Sequence, residues 1–308
     1  MNLRDLKYLI AVAETLHFGK AAERCFVSQP TLSGQLKKLE DELGVSFFER
    51  TNRSVAITPI GEMVLQHAKL VIEQVDAIVQ LAQAHNDPLA GPIRVGAIPT
   101  ISPYLMPLIL MPLRQQYPKM KLILVEETTD NLIDHLLDHK VDIAILGTPV
   151  SEPELAELPI FNEPFWLAHH SDHELYTKDE ITRKDLTNLD LLLLADGHCL
   201  ARQVMDVCQV AEESLNGDSA DLRAASLETL LQLVGAGYGS TLVPALAMQG
   251  SWTTGLGIVA RKLELKDAYR TVRLVYRRSF PRVSAIDALA EVIKSRLPNT
   301  VKKVQEPA

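Results

Sequence analysis

A chain of 308 residues is about twice the length expected of one domain, so at least two folded units are implied and a small disulfide-stapled module is excluded. Hydrophobic residues at 47% and charged residues at 23%, with 15 Gly and 17 Pro, exclude a disordered or collagen-like chain. A net charge of −8 excludes a surface coated in base, yet residues 1–60 hold eight Lys/Arg against seven Asp/Glu, and no acid lies between Arg24 and Lys38.

The chain opens with Met-Asn-Leu-Arg-Asp and runs directly into an amphipathic pattern, without the layout of a secretion signal. Its most apolar stretches, residues 104–113 and 189–195, fall short of the roughly 20 residues a membrane span needs. A soluble, cytoplasmic protein with no membrane partner is expected. Three cysteines, an odd number, suit a reducing compartment, where a disulfide would regulate rather than brace.

Leu3, Leu6, Leu9, Ile10 and Ala13 recur at helical spacing and predict a first helix over residues 3–14. A shorter helix over residues 19–25 places Ala21, Ala22 and Cys25 on one face, small enough for another helix to cross closely. Phe26-Val27-Ser28 is a tight connection. Ser28 then caps a third helix, with Pro30 tolerated in its first turn, Leu32, Leu36, Leu39 and Leu43 as the buried stripe, and Gly44 as its stop. A short helix, a three-residue turn and a second striped helix is the helix-turn-helix pattern, whose second helix presents its N-terminal residues to base edges in a DNA major groove. Gln29, Thr31, Ser33 and Gln35 suit bases or phosphates, Pro30 a thymine methyl, and Lys37 and Lys38 the flanking backbone. Residues 47–53 followed by 55–57 read as a hairpin wing from which Arg50 and Arg53 reach phosphate or minor groove. The plain alternative is a small helical subdomain with a solvated polar face.

Ala21-Ala22, Ser28-Gln29-Pro30-Thr31-Leu32-Ser33, Lys38-Leu39-Glu40, Leu43-Gly44 and Phe48-Glu49-Arg50 together resemble the LysR-type transcriptional regulators. The resemblance implies a winged helix-turn-helix, a linker helix that dimerises, and an α/β effector domain built in two lobes like a periplasmic binding protein, usually in tetramers. Double-stranded promoter DNA, a second copy of the chain and RNA polymerase are the implied partners. The expected domains are residues 1–58, 59–90 and 91–308.

Val64, Ala68, Val71, Val75, Ile78 and Ala82 follow one another in steps of 4, 3, 4, 3 and 4, the period of a coiled-coil seam. Over less than three heptads this does not separate dimerisation from packing within the chain. Asn86-Asp87-Pro88 and Gly91-Pro92 mark a hinge. Beyond it strand and helix periods alternate: strands over 93–98, 122–125 and 141–146 enclose helices over 104–114 and 132–137, a βαβαβ pattern with a mainly parallel sheet. A second set has strands over 191–194, 241–243 and 271–276, and helices over 200–209, 227–234 and 285–297. Two lobes facing a cleft make a natural ligand site.

Gly235-Ala236-Gly237-Tyr238-Gly239 follows a helix rather than a strand, so it reads as a helix C-terminal turn and not a phosphate loop. His169, His170, Asp172 and His173 follow Trp166-Leu167-Ala168 and read as an exposed loop, not a metal site. No metal or cofactor is expected. Cys25 lies on an apolar face and reads as a small hydrophobe. Cys199 stands at the expected start of a helix with His198 and Arg202 close by, a setting that favours thiolate, although a buried inert thiol fits the local pattern as well.

Asp196-Gly197-His198-Cys199 with Cys208, Ser226-Leu227-Glu228-Thr229-Leu230 and Leu242-Val243-Pro244-Ala245, together with Gly34-Gln35 and Glu40-Asp41-Glu42, are similar to the peroxide-sensing members of the family. That resemblance implies a non-enzymatic sensor of hydrogen peroxide with Cys199 as the peroxidatic cysteine, Cys208 as the resolving one, Thr100, Thr129 and His198 shaping the pocket, and Arg270 beside it. A thiol reductant would reset it. Those members carry an arginine and then an aspartate two and three residues after the cysteine, where this chain has Ala201 and Arg202. Two other functions remain open from the residues alone, a LysR-type regulator of a small metabolite and a thiol peroxidase. Nine residues of continuous helix span about 13.5 Å, so joining the two thiols requires the segment between them to unwind.

Overall fold

A computed structural model describes residues 1–50, 55–86, 89–211, 223–249 and 257–304. It forms two compact units, residues 1–85 and 86–308. No described helix is long and apolar enough to cross a membrane.

In the first unit, α1 (Leu3–Thr15) begins with a capping box: the Asn2 side chain accepts from the Arg4 and Asp5 amides, and Asp5 accepts from the Asn2 amide. Its buried face carries Leu6, Leu9 and Val12. α2 (Phe18–Arg24) buries Ala21 and Ala22, whose small side chains let its neighbours approach. Cys25 caps α2, half-buried, and burial pushes its thiol pKa up. α3 (Gln29–Leu43) starts at Ser28, whose Oγ accepts from the Thr31 amide, and buries Leu32, Leu36 and Leu39. Leu43 is exposed, against expectation: Gly44 turns the chain away at φ +70° and the stripe ends one turn earlier. The wing pairs β1 (Phe48–Arg50) antiparallel with β2 (Val55–Ile57). α4 (Pro59–Asn86) follows, and its Gly61 is obligatory because a Cβ there would stand 2.3 Å from the Phe47 carbonyl oxygen.

Ala68 is buried in the helix-turn-helix core, and Val64, Leu65 and Ile72 pack partly against it. The expected seam is therefore divided: its first members serve the chain's own core, while Val71 and Ile78 further along are exposed. The side chain of Ala82 and the expected hinge residues Asp87 and Pro88 lie outside the described residues.

Phe26 occupies the turn between α2 and α3 at φ +56° with 96% of its surface exposed. A left-handed backbone costs a residue with a Cβ about 1–2 kcal/mol and is best tolerated by Gly or Asn. An exposed ring returns little of that. We expect Phe26→Asn to stabilise the first unit by about 1 kcal/mol in a thermal melt; a lower melting temperature would mean the ring has a packing role.

The second unit begins with β3 (Gly91–Ala97), α5 (Ser102–Gln116), β4 (Met120–Glu126), α6 (Thr129–Leu137) and β5 (Ile143–Leu146). Strands β4, β3 and β5 are parallel neighbours, as the βαβαβ pattern predicts. The rest of the sheet is not parallel. β6 (Leu155–His170) runs antiparallel to β11 (Tyr269–Arg277), which in turn runs antiparallel to β5. β6 was missed in the sequence because Pro159, Glu163 and Pro164 interrupt its apolar run. Its first part lies in one hydrophobic core, with Ile160 and Phe161, and its last part in a second core, with Phe165, Leu167 and Ala168. There it pairs with β9 (Thr241–Pro244) and β10 (Ile258–Lys262).

The second lobe also holds α7 (Arg183–Thr187), β7 (Leu193–Leu194), α8 (Cys199–Cys208), β8 (Arg223–Ala224) and α9 (Leu227–Gly235). α10 (Val283–Arg296) and β12 (Lys302–Lys303) are the last elements among the described residues. Tyr104 of α5 donates to Glu228 of α9 at 2.7 Å, joining the lobes. The glycines after α9 form its C-terminal turn as expected, with Gly237 at φ +81°. His169 is not in an exposed loop: it pairs with Val259 in the sheet and is fully buried, which pushes its pKa down.

Candidate functional site

The site forms where the two lobes of the second unit meet. After β7 the chain turns through Gly197 at φ +90°, and His198 takes the position preceding α8, leaving Cys199 as its first helical residue. Thr100 comes from the connection between β3 and α5, and Thr129 is the first residue of α6. Ile98, Pro99, Thr100, Thr128, Thr129, Gly197, His198 and Cys199 line one narrow niche. Two helix N-termini, those of α6 and α8, thus point toward it, and their partial positive charge favours an anion there.

Thr129 Oγ1 is buried and has no hydrogen-bond partner, so the niche keeps one hydroxyl uncommitted. Thr100 is held from behind. Arg270 donates from Nη1 to Thr100 Oγ1 and from Nη2 to the Thr100 carbonyl, each at 2.8 Å. Because the Thr100 oxygen accepts from a guanidinium, its own hydrogen is left to be donated elsewhere. Arg270 does not line the niche; it stands one layer behind, with its side chain wholly buried against Glu163 at 2.8 Å. Glu163 is itself completed by the Leu246 amide at 2.9 Å. Sequence reasoning missed Glu163, although a lone acid between Phe161 and Phe165 in an apolar run signals a buried partner.

Cys199 and Cys208 are both free thiols at opposite ends of α8. They belong to different cores: Cys199 packs partly buried against the first, and Cys208 is fully buried within the second. Burial pushes the Cys208 pKa up to about 12, against a smaller lowering by Arg183. The C-terminal end of α8 is tied down through its carbonyls, with Arg183 donating to Val207 at 2.8 Å and Thr187 to Cys208 at 3.2 Å. Ala201 is buried in the second core and Arg202 is exposed on the wall of the wider cleft between the lobes. The charge that the resemblance implies at position 201 thus stands at position 202 in this chain, on the solvent side.

In the first unit Ser28, Gln29, Pro30, Thr31, Gln35, Lys37 and Lys38 are exposed and Ser33 is half-buried, all on or beside α3. The side chain of Arg50 and the whole of Arg53 lie outside the described residues. Among the described residues no group of three His, Cys, Asp or Glu side chains is placed to hold a metal ion.

Residues 3–62 match the profile of the bacterial regulatory helix-turn-helix proteins of the lysR family, and residues 86–298 match that of the LysR substrate binding domain. The chain is 41% identical to the DNA-binding transcriptional dual regulator OxyR of Escherichia coli K12 over the full length of both. It is 36% identical to the hydrogen peroxide-inducible genes activator of Haemophilus influenzae, over 96% of this chain and 97% of that one. A full-length OxyR variant from Pseudomonas aeruginosa superposes with a TM-score of 0.80 at 38% identity, covering 100% of this chain and 99% of that one. A cysteine variant of Corynebacterium glutamicum OxyR with hydrogen peroxide bound gives a TM-score of 0.66 at 36% identity, over 96% and 92% of the two chains.

Proposed function

The chain belongs to the LysR family of bacterial regulators, and we propose that it is a DNA-binding transcriptional regulator that senses hydrogen peroxide by closing a Cys199–Cys208 disulfide. One observation carries the reading: Cys199 stands at a helix N-terminus in a small niche with Thr100, Thr129 and His198, and a second thiol waits at the far end of the same helix.

The Cys199 thiolate attacks one peroxide oxygen, the O–O bond breaks, and the departing oxygen leaves as water once protonated. Thr100 and Thr129 supply hydroxyl donors to the oxygen that gains charge. Cys199 becomes a sulfenic acid. Cys208, as thiolate, then attacks the Cys199 sulfur, the second oxygen leaves as water, and the two electrons taken by peroxide have come from two thiols. An external dithiol would return them, and each oxidation consumes one peroxide per chain.

Residues 1–58 read promoter DNA through α3, residues 59–90 pair two chains through the exposed part of α4, and residues 91–308 sense. Two-fold pairing requires repeated half-sites about one helical turn apart, and pairs of dimers account for a tetramer. RNA polymerase is the downstream partner, and the cytoplasm is the compartment where the thiols stay reduced.

The test is to add one equivalent of hydrogen peroxide, map disulfides by mass spectrometry, and compare DNase footprints of the reduced and oxidised protein. We expect a Cys199–Cys208 peptide pair and an altered footprint. A footprint that changes with a small organic metabolite but not with peroxide would favour a ligand in the wider cleft and overturn the redox reading.

A further inference from the structure

Arg183 and Thr187 tie down the C-terminal end of α8; the disulfide mechanism leaves unassigned what holds its Cys199 face to the first lobe before oxidation, and this inference rests on that mechanism. We propose that Gln203 is the positioning residue that latches α8 to the first lobe and so governs how readily the disulfide-closing step follows attack on peroxide. Gln203 Nε2 donates to the carbonyl oxygen of Gly147, the residue after β5, at 2.7 Å. That oxygen lies just past the end of β5 in the first lobe, while the buried face of α8 belongs to the second core.

The position of Gln203 on the helix decides its role. Four residues past Cys199 it lies about 40° around the helix from it, on the same face, whereas Cys208 lies about 180° away. The latch thus fastens the Cys199 face against the first lobe. Gln203 is also near the midpoint between the thiols. Disulfide closure must shorten a separation of about 13.5 Å to less than about 7 Å. The turns to either side of Gln203 have to unwind for that, and its side chain is carried off Gly147.

Its surroundings are those of a latch and not of a solvated side chain. Gln203 Oε1 is buried without a hydrogen-bond partner, so the amide is held by its donor end. The acceptor is rigid: Gly147 is buried, and a Cβ built on it would stand 3.1 Å from Arg270 Cδ. Arg270 is the residue that fixes Thr100. The latch therefore closes onto a carbonyl packed against the residue that fixes Thr100, while the Thr100, Thr129 and His198 side chains of the niche are not among its contacts.

Gln203→Met keeps the length of the side chain and removes the donor, and Gln203→Glu turns an acceptor toward the Gly147 carbonyl. Amide exchange of residues 200–207 in the reduced protein should rise about threefold to tenfold in the methionine variant, and more in the glutamate variant, while β3 and β5 keep their protection. After peroxide, sulfenic acid trapped with dimedone in a Cys208→Ser background should form at an unchanged rate. Disulfide closure in the two-cysteine chain should quicken, and its equilibrium in a dithiothreitol redox buffer should shift toward the disulfide, by that same factor. Unchanged exchange overturns the latch, as does a change that slows both chemical steps alike. If the unaltered chain forms no Cys199–Cys208 bond, the redox reading falls, and the exchange measurement still decides the latch.

Discussion

Cys199→Ser is expected to abolish the response to peroxide, with the rate of peroxide consumption falling at least a thousandfold, because a serine hydroxyl is not ionised at neutral pH and sulfur's nucleophilicity is lost with it. Cys208→Ser should separate the two steps: Cys199 still reacts and accumulates as sulfenic acid, but the oxidised state is not held. The asymmetry follows from where the thiols sit. With its pKa pushed up to about 12 by burial, Cys208 is ionised in only about one molecule in 10,000 at pH 8 and cannot react first. It becomes competent once α8 opens and water reaches it. Mass spectrometry after timed alkylation checks the order, with iodoacetamide expected to label Cys199 well before Cys208 in the folded reduced protein. Simultaneous labelling would mean that Cys208 is not sequestered as described.

The second large effect is one of stability. Arg270→Met leaves the Glu163 carboxylate wholly buried with the Leu246 amide but without its cation, and uncompensated charges of this kind cost about 3–5 kcal/mol. Urea unfolding of the full chain should show that loss in the transition of the second unit. Adding Glu163→Leu to the same chain should recover much of it, since an apolar pair of similar volume removes the stranded charge. Peroxide reactivity should stay low in the double variant, because the Thr100 hydroxyl is no longer held from behind. A single variant costing less than about 1 kcal/mol would put the ion pair in contact with solvent and remove it from the account.

How much of this was readable in the chain differs by element. α1, α3 and the βαβαβ run declared themselves because their apolar spacing is regular and, for α3, the Ser28 cap and the Gly44 stop agree with it, whereas the Asn2 cap of α1 was not read from the sequence. β6 did not: Pro159 and Pro164 punctuate it, and its two halves serve different cores, so no single period runs along it. The same failure hid the burial of His169 and the antiparallel half of the sheet. Within the site, the resemblance pointed to Thr100, Thr129, His198 and Cys199, and the fold gathers these four around one niche. Glu163 and Gln203 were not found, because their importance lies in partners 107 and 56 residues away in the chain, and local pattern carries no information at such separations. Leu43 and the divided seam of α4 show the opposite limit: periodicity assigns a face to a helix but not what, if anything, covers it.

β6 is a single sixteen-residue strand shared by both lobes and hydrogen-bonded along its length. The two lobes are thus joined through one continuous backbone, and the size of the signal limits what a bound molecule can do to them. A molecule with two heavy atoms can contribute at most about 3 kcal/mol of contact energy, by the ceiling of roughly 1.5 kcal/mol per atom. Moving a two-state protein from 1:99 to 99:1 requires about 5.5 kcal/mol of differential affinity. Reversible occupancy of the niche falls short of the sum, whatever its geometry. The reduction of an O–O bond does not, and since the two thiols it oxidises stand at the ends of one short helix, that covalent energy is delivered there.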